Sequence, residues 1–333
     1  MNILHLIAGN LTGGAAKGAY ILHEGLLNQG VNSKILTNSK VTFNDQTVTT
    51  INRTNFDRVK VAVRGRLDQM PTKIYKNKIN TGFSTGMIGY DFTKHKLYEQ
   101  SDIIHLHWIN GGFVNMKHLR KVEKPIIWTV RDMWPLTGGC HYSMGCDRYK
   151  TGCGKCPQLG SSNKRDLSLY VWNRKSKYIP ENITAVGISP WVSEKLKESK
   201  LLKDKNIHTI YNNIDCEDFF PVNSNFAKKA LKIDTNKKLI AVGAQNPNDP
   251  YKGFSKFIES LKYLESEKYI LLIFGNLDDE IVKNLGFEYK SFGFLYDTIS
   301  LRLLYSAADV FVAPSLMEAF GKTIAESMAC GTP

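Results

Sequence analysis

Short runs of apolar residues alternate with stretches of helical periodicity along most of this chain. The first series of predicted strands covers residues 2–8, 33–36, 103–108, 126–130, 183–188 and 207–211. A second series begins at 239–243 and continues through 269–274, 289–292 and 309–312, with helical patterns over 254–262 and 300–307. Strands that alternate with helices are typical of parallel sheets, so the pattern predicts an α/β fold with two separate sheets.

A polar stretch separates the two series. Residues 215–218 carry three acidic side chains and lead into Phe219, Phe220 and Pro221, a composition typical of a hinge. The chain has 333 residues, more than one hydrophobic core usually organises. We therefore predict two domains, residues 1–218 and 219–333.

The chain is basic, with 44 Lys and Arg against 31 Asp and Glu and a net charge of +13. Such a charge favours anionic partners through long-range steering, and nucleoside diphosphates, anionic lipid surfaces and nucleic acids all qualify. No apolar run reaches the ~18 residues of a membrane span, and residues 1–8 are too short and uncharged for a signal peptide. We therefore expect a cytoplasmic protein.

Much of the positive charge lies in one segment, residues 58–78. Its cations are Arg58, Lys60, Arg64, Arg66, Lys73, Lys76 and Lys78, against the single acid Asp68. Apolar residues recur among them at helical spacing, at Val59, Val63, Leu67 and Met70, until Pro71 ends the pattern. Such a helix either lies on an anionic membrane surface or is a solvated helix with its cations in water. The segment lacks the interleaved aromatics of a nucleic-acid site, so we expect no nucleic acid.

Four of the six cysteines, Cys140, Cys146, Cys153 and Cys156, fall within 17 residues. When thiols lie this close together in the sequence of a cytoplasmic protein, a metal or redox role is favoured. Only Cys153 and Cys156 have a standard zinc-ligand interval, and His141 is a possible replacement for one ligand. Three interpretations stay open: a structural zinc site, a redox-sensitive pair and buried free thiols.

Two glycines, Gly13 and Gly14, stand between the first predicted strand and the helical pattern that follows it. Glycine lets a backbone approach a phosphate or sugar closely, and a helix start offers unpaired amides. The spacing differs from the dinucleotide fingerprint, and no acidic residue follows the second strand as that fingerprint requires. The loop is therefore either a phosphate- or sugar-binding turn or a helix-packing turn.

Two histidines, His105 and His107, share one face of a predicted strand because side chains alternate along a strand. The His-x-His pattern is compatible with a metal site. On a buried parallel strand, however, a hydrogen-bonded structural histidine is the commoner outcome.

The last 25 residues contain the most specific motif. An apolar strand leads through a polar loop into a helix start, and Glu318 and Glu326 are separated by seven residues. This arrangement resembles the Glu-x7-Glu signature of retaining glycosyltransferases of the GT-B architecture, in particular glycosyltransferase family 4. Residues 211–215, Tyr-Asn-Asn-Ile-Asp, are similar to the hinge signature of that family. The resemblance implies two Rossmann-like parallel-sheet domains that face a cleft, the second incomplete because the chain stops inside the motif.

The resemblance assigns the nucleotide-sugar donor to the second domain. The residues implied in donor binding are Lys252, Gly321, Lys322 and Thr323 for the diphosphate, and Phe294 and Leu295 for the base. Glu318 is expected to bind sugar hydroxyls, and Glu326 is expected to bind ribose hydroxyls. Ala244 and Gln245 stand where the family usually has another cation, so one of two expected positive charges is missing.

The first domain is implied to be the acceptor side. There the Gly13-Gly14 loop is expected to face the donor, and His107 is expected to reach the transferred sugar, with His105 structural. Arg131 replaces the His of a usual His-Asp pair, and Asp132 keeps its place. The cysteine block resembles an insertion in a polysaccharide-building subgroup of the family.

We therefore predict a retaining glycosyltransferase that moves a hexose-like unit from a nucleotide diphosphate sugar to a saccharide or lipid-linked saccharide, in bacterial-type surface polysaccharide synthesis. The predicted catalytic residues are His107, Lys252 and Glu318, and no catalytic metal is expected. Lipid-linked acceptors would place the protein peripherally at the inner face of the membrane. Two alternatives stay open: a non-catalytic nucleotide-sugar or polysaccharide binder, and a nucleotide-sugar epimerase of the same architecture.

Overall fold

The structure is a computed structural model that describes residues 1–41, 43–79, 82–244, 249–276, 286–295 and 297–333. The chain divides into two compact units, Met1–Asn212 and Asn213–Pro333. The boundary predicted at 218/219 therefore lies inside the second unit.

The first unit is built on a seven-stranded sheet in which all pairs are parallel. Its strands are β1 (Asn2–Leu6), β2 (Asn32–Thr37), β3 (Val48–Thr50), β4 (Ile103–Leu106), β5 (Ile126–Val130), β6 (Ile183–Gly187) and β7 (Asn206–Thr209). The spatial order is β3-β2-β1-β4-β5-β6-β7, so the order reverses between β1 and β4. The six predicted strands are confirmed, and β3 is additional.

Helices connect these strands. They are α1 (Gly14–Asn28), α2 (Asn55–Gln69), α3 (Lys96–Glu99), α4 (Leu167–Tyr178) and α5 (Pro190–Glu198). Thr54 and Asp57 form a capping box at the start of α2, and the Asp166 carboxylate accepts from the backbone at the start of α4. Caps of this kind satisfy amides that have no partner within the helix, which fixes where each helix begins.

The second unit contains a four-stranded parallel sheet of β8 (Lys238–Ala244), β9 (Tyr269–Gly275), β10 (Glu288–Ser291) and β11 (Val310–Val312), in the order β10-β9-β8-β11. Its helices are α6 (Ser224–Ala230), α7 (Phe254–Leu261), α8 (Thr298–Ala307) and α9 (Lys322–Ala329). Leu239 and Ala241 pack on one face of the sheet, while Ile240 and Val242 pack on the other. Burial on both faces explains the continuous apolar runs in the sequence.

The α/β class with two parallel sheets is confirmed by both units. None of the helices in the described ranges is long and apolar enough to cross a membrane. The carboxyl ends of parallel strands meet at one edge of each sheet, where ligands of such folds usually bind. Most of the predicted site residues follow these carboxyl ends.

Candidate functional site

The glycine loop lies at the carboxyl edge of the first sheet. Gly13 is the N-cap of α1, and no side chain caps the helix there. A Cβ atom at Gly13 or Gly14 would meet no heavy atom of the described residues within 4 Å, so packing against them does not require glycine at either position. The open start of α1 therefore favours the binding interpretation over the helix-packing turn.

The predicted residue His107 follows β4 and is buried together with His105 and His5. A hydrogen bond of 2.9 Å joins His107 Nε2 to His5 Nδ1, and another of 2.8 Å joins His105 Nε2 to Thr129 Oγ1. In the described part of the chain, His107 Nδ1 and His5 Nε2 are buried without a hydrogen-bond partner. His5 was missed by the sequence analysis because it belongs to a different strand, β1.

These three histidines are the one group of three potential metal ligands that the described residues bring within 4.8 Å. Their geometry is poor for a shared ion, since the rings are stacked with interplanar angles of 15° to 30°. Stacked rings direct their lone pairs side by side rather than toward one point. The hydrogen bond between His5 and His107 also uses a lone pair that a metal would need.

Burial keeps the histidine group uncharged. It lowers the pKa of His107 well below the usual range, and the neighbouring His105, Arg131 and His5 act in the same direction. The pKa of His105 falls to about 3, again mainly through burial. At neutral pH these rings are neutral hydrogen-bonding groups rather than cations.

Arg131 is a buried cation at the same edge and was not among the predicted site residues. Its guanidinium donates to Asn212 Oδ1 at 2.9 Å, and its Nε has no hydrogen-bond partner within the described residues. Burial lowers the pKa of Arg131 to about 10, so the group stays charged at neutral pH. A Cβ at Gly18 would come within 2.6 Å of Arg131, so glycine in α1 makes room for this side chain.

The carboxylate of Asp132, by contrast, makes three contacts within the fold. Its carboxylate accepts from Trp108 Nε1 at 3.0 Å and from the Trp134 backbone at 2.9 Å, and it pairs with His141 Nδ1 at 2.6 Å. The other ring nitrogen of His141 bonds Ser84 Oγ at 3.0 Å. Asp132 thus holds the loop after β5, and His141 has no nitrogen left for a metal.

In the second unit, the predicted residues Lys252 and Glu318 are in direct contact. Lys252 Nζ donates to Glu318 Oε1 at 2.6 Å, and the Ser315 hydroxyl donates to the same oxygen at 2.9 Å. The sequence analysis assigned these two side chains to different parts of the donor. The structure brings them together at the carboxyl edge of the second sheet.

Two backbone contacts hold the loops that carry this pair. The Leu316 amide donates to the Tyr251 carbonyl at 2.8 Å. Gly253 has a φ of +64°, and a Cβ at this position would lie 1.9 Å from the Pro314 oxygen. Only glycine permits both the left-handed backbone and this close approach.

Helix α9 starts beside the pair. Its N-cap, Gly321, has a φ of 79°, and no side chain of the described residues caps the helix. The first amides of a helix have no partner within the helix itself. Glu326, predicted to bind ribose hydroxyls, is buried. Its carboxylate lies 3.6 Å from Lys322 Nζ and 3.5 Å from the Tyr305 hydroxyl.

The two residues predicted to bind the base, Phe294 and Leu295, also lie at this edge. Phe294 and Leu295 follow the carboxyl end of β10, next to Gly293, whose carbonyl accepts from the Gly275 amide at 2.7 Å. The backbone there is therefore held at the end of two neighbouring strands. Gln245 lies outside the described residues.

The four clustered cysteines come together around one cavity. All four are free thiols, and Cys140 and Cys156 are buried. The sequence therefore identified a spatial cluster as well as a sequence cluster.

Comparison with known protein families matches the second unit. Residues 223–333 match the model of the family described as Glycosyl transferases group 1. The O-antigen chain mannosyltransferase RfbU of Salmonella typhimurium LT2 is 27% identical over 153 residues, 44% of this chain and 39% of RfbU. The chain covers between 17% and 57% of the lengths of the curated proteins that it matches.

Solved structures extend the likeness over the whole chain. The sucrose-phosphate synthase of Thermosynechococcus elongatus superposes with a TM-score of 0.67 at 20% identity, covering 100% of this chain and 80% of that protein. Anabaena HepE in complex with UDP-glucose gives a TM-score of 0.58 at 16% identity, covering 100% and 79%. At these identities the matches show the fold, and they confirm the predicted GT-B glycosyltransferase fold.

Proposed function

Because residues 223–333 form a glycosyl transferases group 1 domain, we propose that the chain moves a hexose-like unit from a nucleotide diphosphate sugar to a saccharide or lipid-linked saccharide. The observation that carries this proposal is the Lys252–Glu318 pair beside the uncapped start of α9. It combines a cation, a carboxylate and a helix N-terminus at the carboxyl edge of a parallel sheet, where such folds bind nucleotides.

The diphosphate of the donor is bound by Lys252 and the amides at Gly321, Lys322 and Thr323. An ammonium and a helix start both favour a doubly charged phosphate group. When the donor arrives, Lys252 exchanges its bond with Glu318 for one with the diphosphate. Glu318 is then free to accept from sugar hydroxyls. The bound UDP-glucose of HepE supports a donor of this class.

Transfer proceeds with attack on the face from which the diphosphate leaves. The bond between the anomeric carbon and the phosphate oxygen breaks, and the acceptor hydroxyl oxygen forms the new bond to that carbon. The departing phosphate oxygen takes the hydroxyl proton. Negative charge accumulates on the diphosphate in the transition state, so Lys252 and the α9 amides act where charge develops.

On the acceptor side, His107 and the Gly13-Gly14 loop position the sugar. His107 offers Nδ1, a buried ring nitrogen without a partner in the described residues, and His5 fixes the orientation of the ring from its other nitrogen. Arg131 adds a fixed positive charge at the same sheet edge. A neutral imidazole suits hydrogen bonding to a hydroxyl better than charge stabilisation.

A transfer assay tests the function. The purified chain is incubated with UDP-glucose, GDP-mannose and related donors, and products are followed with candidate saccharide acceptors and with lipid-linked saccharides. Transfer with release of the nucleoside diphosphate supports the proposal. Donor binding without transfer supports the binding protein instead, and conversion of the donor to an isomeric nucleotide sugar without acceptor supports the epimerase.

We also propose that α2 contacts an anionic membrane surface, which fits a lipid-linked acceptor. Its apolar residues lie on the surface rather than in the core, with side chains exposed by 41% to 74%. They are Phe56, Val59, Val63, Leu67, Met70 and, in the turn that follows, Ile74. A solvated surface helix packs its apolar stripe against the protein core, whereas a helix that lies on a membrane exposes the stripe between cations. Of the two acids in α2, Asp57 caps the start of the helix, and Asp68 is buried and accepts from the Thr85 hydroxyl and the Met87 amide.

Co-sedimentation with vesicles tests this surface. We expect binding to vesicles that contain anionic lipid and a marked loss of binding in Val59→Asp/Val63→Asp. The matched control is Phe226→Asp on α6, an equally exposed apolar residue outside the stripe. Equal sedimentation of the double variant and wild type would remove the membrane proposal without touching the transfer reaction.

A further inference from the structure

The cysteine cluster plays no part in the proposed transfer reaction, yet it has the features of a ligand site. We propose that Cys140, Cys146, Cys153 and Cys156 bind one zinc ion, which fixes the irregular loop between β5 and α4. The inference is independent of the proposed function.

The four side chains line a single cavity of about 20 Å³. A hollow of this size holds one water-sized guest, which suits a single ion. Cys140 and Cys146 belong to the first half of the loop, and Cys153 and Cys156 belong to the second half. Two ligand pairs from two arms of an irregular loop are typical of structural zinc sites.

Backbone amides already point at the sulfurs. The Gly138 amide donates to Cys153 Sγ at 3.1 Å. Burial raises the pKa of the Cys156 thiol, and hydrogen bonds from the backbone N–H groups of Leu159 and Gln158 act in the opposite direction. Amide donors to sulfur stabilise thiolates, and thiolates are the form in which cysteine binds zinc.

Cations next to the cavity suit a site of negative charge. Four thiolates and one zinc ion carry a net charge of about −2. Arg148 lines the cavity and donates to the Gly154 carbonyl at 2.9 Å. The wholly buried Lys175 donates to the carbonyls of Trp134 and Thr137, and Thr137 also lines the cavity. The two carbonyls that accept from Lys175 are neutral, so a nearby anionic cluster would favour its charged form.

The loop is irregular chain held by individual hydrogen bonds, such as those that the Gly154 amide donates to Ser168 Oγ and the Cys156 amide donates to Asp166 Oδ2. Between Gly138 and Gly160 the structure has no strand or α-helix, only two short 3₁₀ turns, Arg148–Lys150 and Pro157–Leu159. Tyr149, Gln158 and Leu159 are nevertheless buried. Burying irregular chain costs conformational entropy that a bound metal can offset, as in other small metal-dependent folds.

The alternatives fit less well. His141 uses both ring nitrogens, with Asp132 and Ser84, so it cannot replace a cysteine ligand. A redox-sensing pair needs accessible sulfur, but Cys140 and Cys156 are buried. No three of the four sulfur atoms lie within 4.8 Å of one another in the described structure. Zinc binds each sulfur at ~2.3 Å, so the sulfur atoms must lie closer to one another when the ion is bound. Binding therefore requires the cysteine side chains to turn into the cavity.

Metal analysis of the full chain is the first test. We expect about one zinc per chain after purification without chelator or added metal. Cys153→Ser/Cys156→Ser should lose the metal, and the matched control Cys216→Ser, an exposed cysteine in the second unit, should keep it. Zinc contents close to zero in the wild type, or unchanged zinc in the double variant, would overturn the proposal.

A second test uses the wild type alone and so does not depend on a variant that folds. Iodoacetamide is added to the native chain before and after treatment with a strong chelator, and modified cysteines are located by mass spectrometry. We expect the four cysteines to resist modification until the chelator removes zinc, and Cys216 to react at once. A Cys153–Cys156 disulfide in freshly alkylated protein, or protection that the chelator does not change, would contradict a zinc site.

Discussion

At the scale of single residues, the pair of Lys252 and Glu318 makes the sharpest prediction. Lys252→Ala should reduce kcat/KM by the equivalent of about 2 to 4 kcal/mol, because one preorganised positive charge is lost from the developing diphosphate. Lys256→Ala, which removes an exposed lysine paired with Glu259 on α7, is the matched control. Donor turnover in a coupled diphosphate-release assay measures both, and near-normal kcat in Lys252→Ala would contradict the assigned role.

The same pair needs a second variant, since removing Lys252 also releases Glu318. A double-mutant cycle with Glu318→Gln separates the two effects. If Lys252 acts on the diphosphate, its removal remains costly in the Glu318→Gln background. If Lys252 only positions Glu318, the second substitution adds little to the first.

The sequence predicts a residue's role where the residue belongs to a local motif. It does not predict contacts between residues that are far apart in the sequence. The carboxylates Glu318 and Glu326 were found from their spacing, but the bond of Glu318 to Lys252 spans 66 positions and has no local signal. The bond between His5 and His107 spans 102 positions. It follows from the register of β1 and β4, in which His5 lies beside His105. A histidine in β1 is informative only once the strand order is known.

At the scale of elements, the turn at the start of α7 depends on one glycine, Gly253. Gly253→Ala should lower the free energy of unfolding by more than about 2 kcal/mol, because it combines left-handed strain with a clash against the Pro314 oxygen. Gly286→Ala is the matched control, with a φ of +69° and no atom of the described residues within 4 Å of its Cβ.

Urea denaturation of both variants measures this effect. The control should lose about 1 kcal/mol, the share of backbone strain alone. Equal losses in the two variants would show that the approach of the 249–253 and 314–316 loops does not constrain position 253.

Elements with strong periodicity were predicted well, and short or irregular ones were not. Buried strands such as β5 and β9 stand out because they are apolar on both faces. The three residues of β3 are only half-buried, and they pair along the edge of the sheet without a distinctive pattern. Helix α2 was found from its spacing, but periodicity alone did not reveal that its apolar face points to solvent.

At the scale of the whole molecule, the two units carry different electrostatics. The first buries neutral histidines, the cation Arg131 and Lys175, whose pKa is lowered by burial to about 7, whereas the second holds half-buried paired charges such as Lys252 and Glu318. The sequence revealed the two sheets because alternation of strand and helix restarts at 239–243. The first unit ends at Asn212, whose side chain accepts from Arg131 and so packs with the first unit.

This division predicts an acid-sensitive first unit. Burial lowers the pKa of His5, His105 and His107, so between pH ~6.5 and the lowered values the unfolded chain binds more protons. Stability should therefore be complete above pH ~6.5 and fall below it, by up to about 1.4 kcal/mol per pH unit for each histidine. Urea midpoints at neutral and mildly acidic pH measure this, and His105→Asn should flatten the slope, whereas His208→Asn on the exposed face of β7 should not. An unchanged slope in His105→Asn would contradict a neutral buried His105.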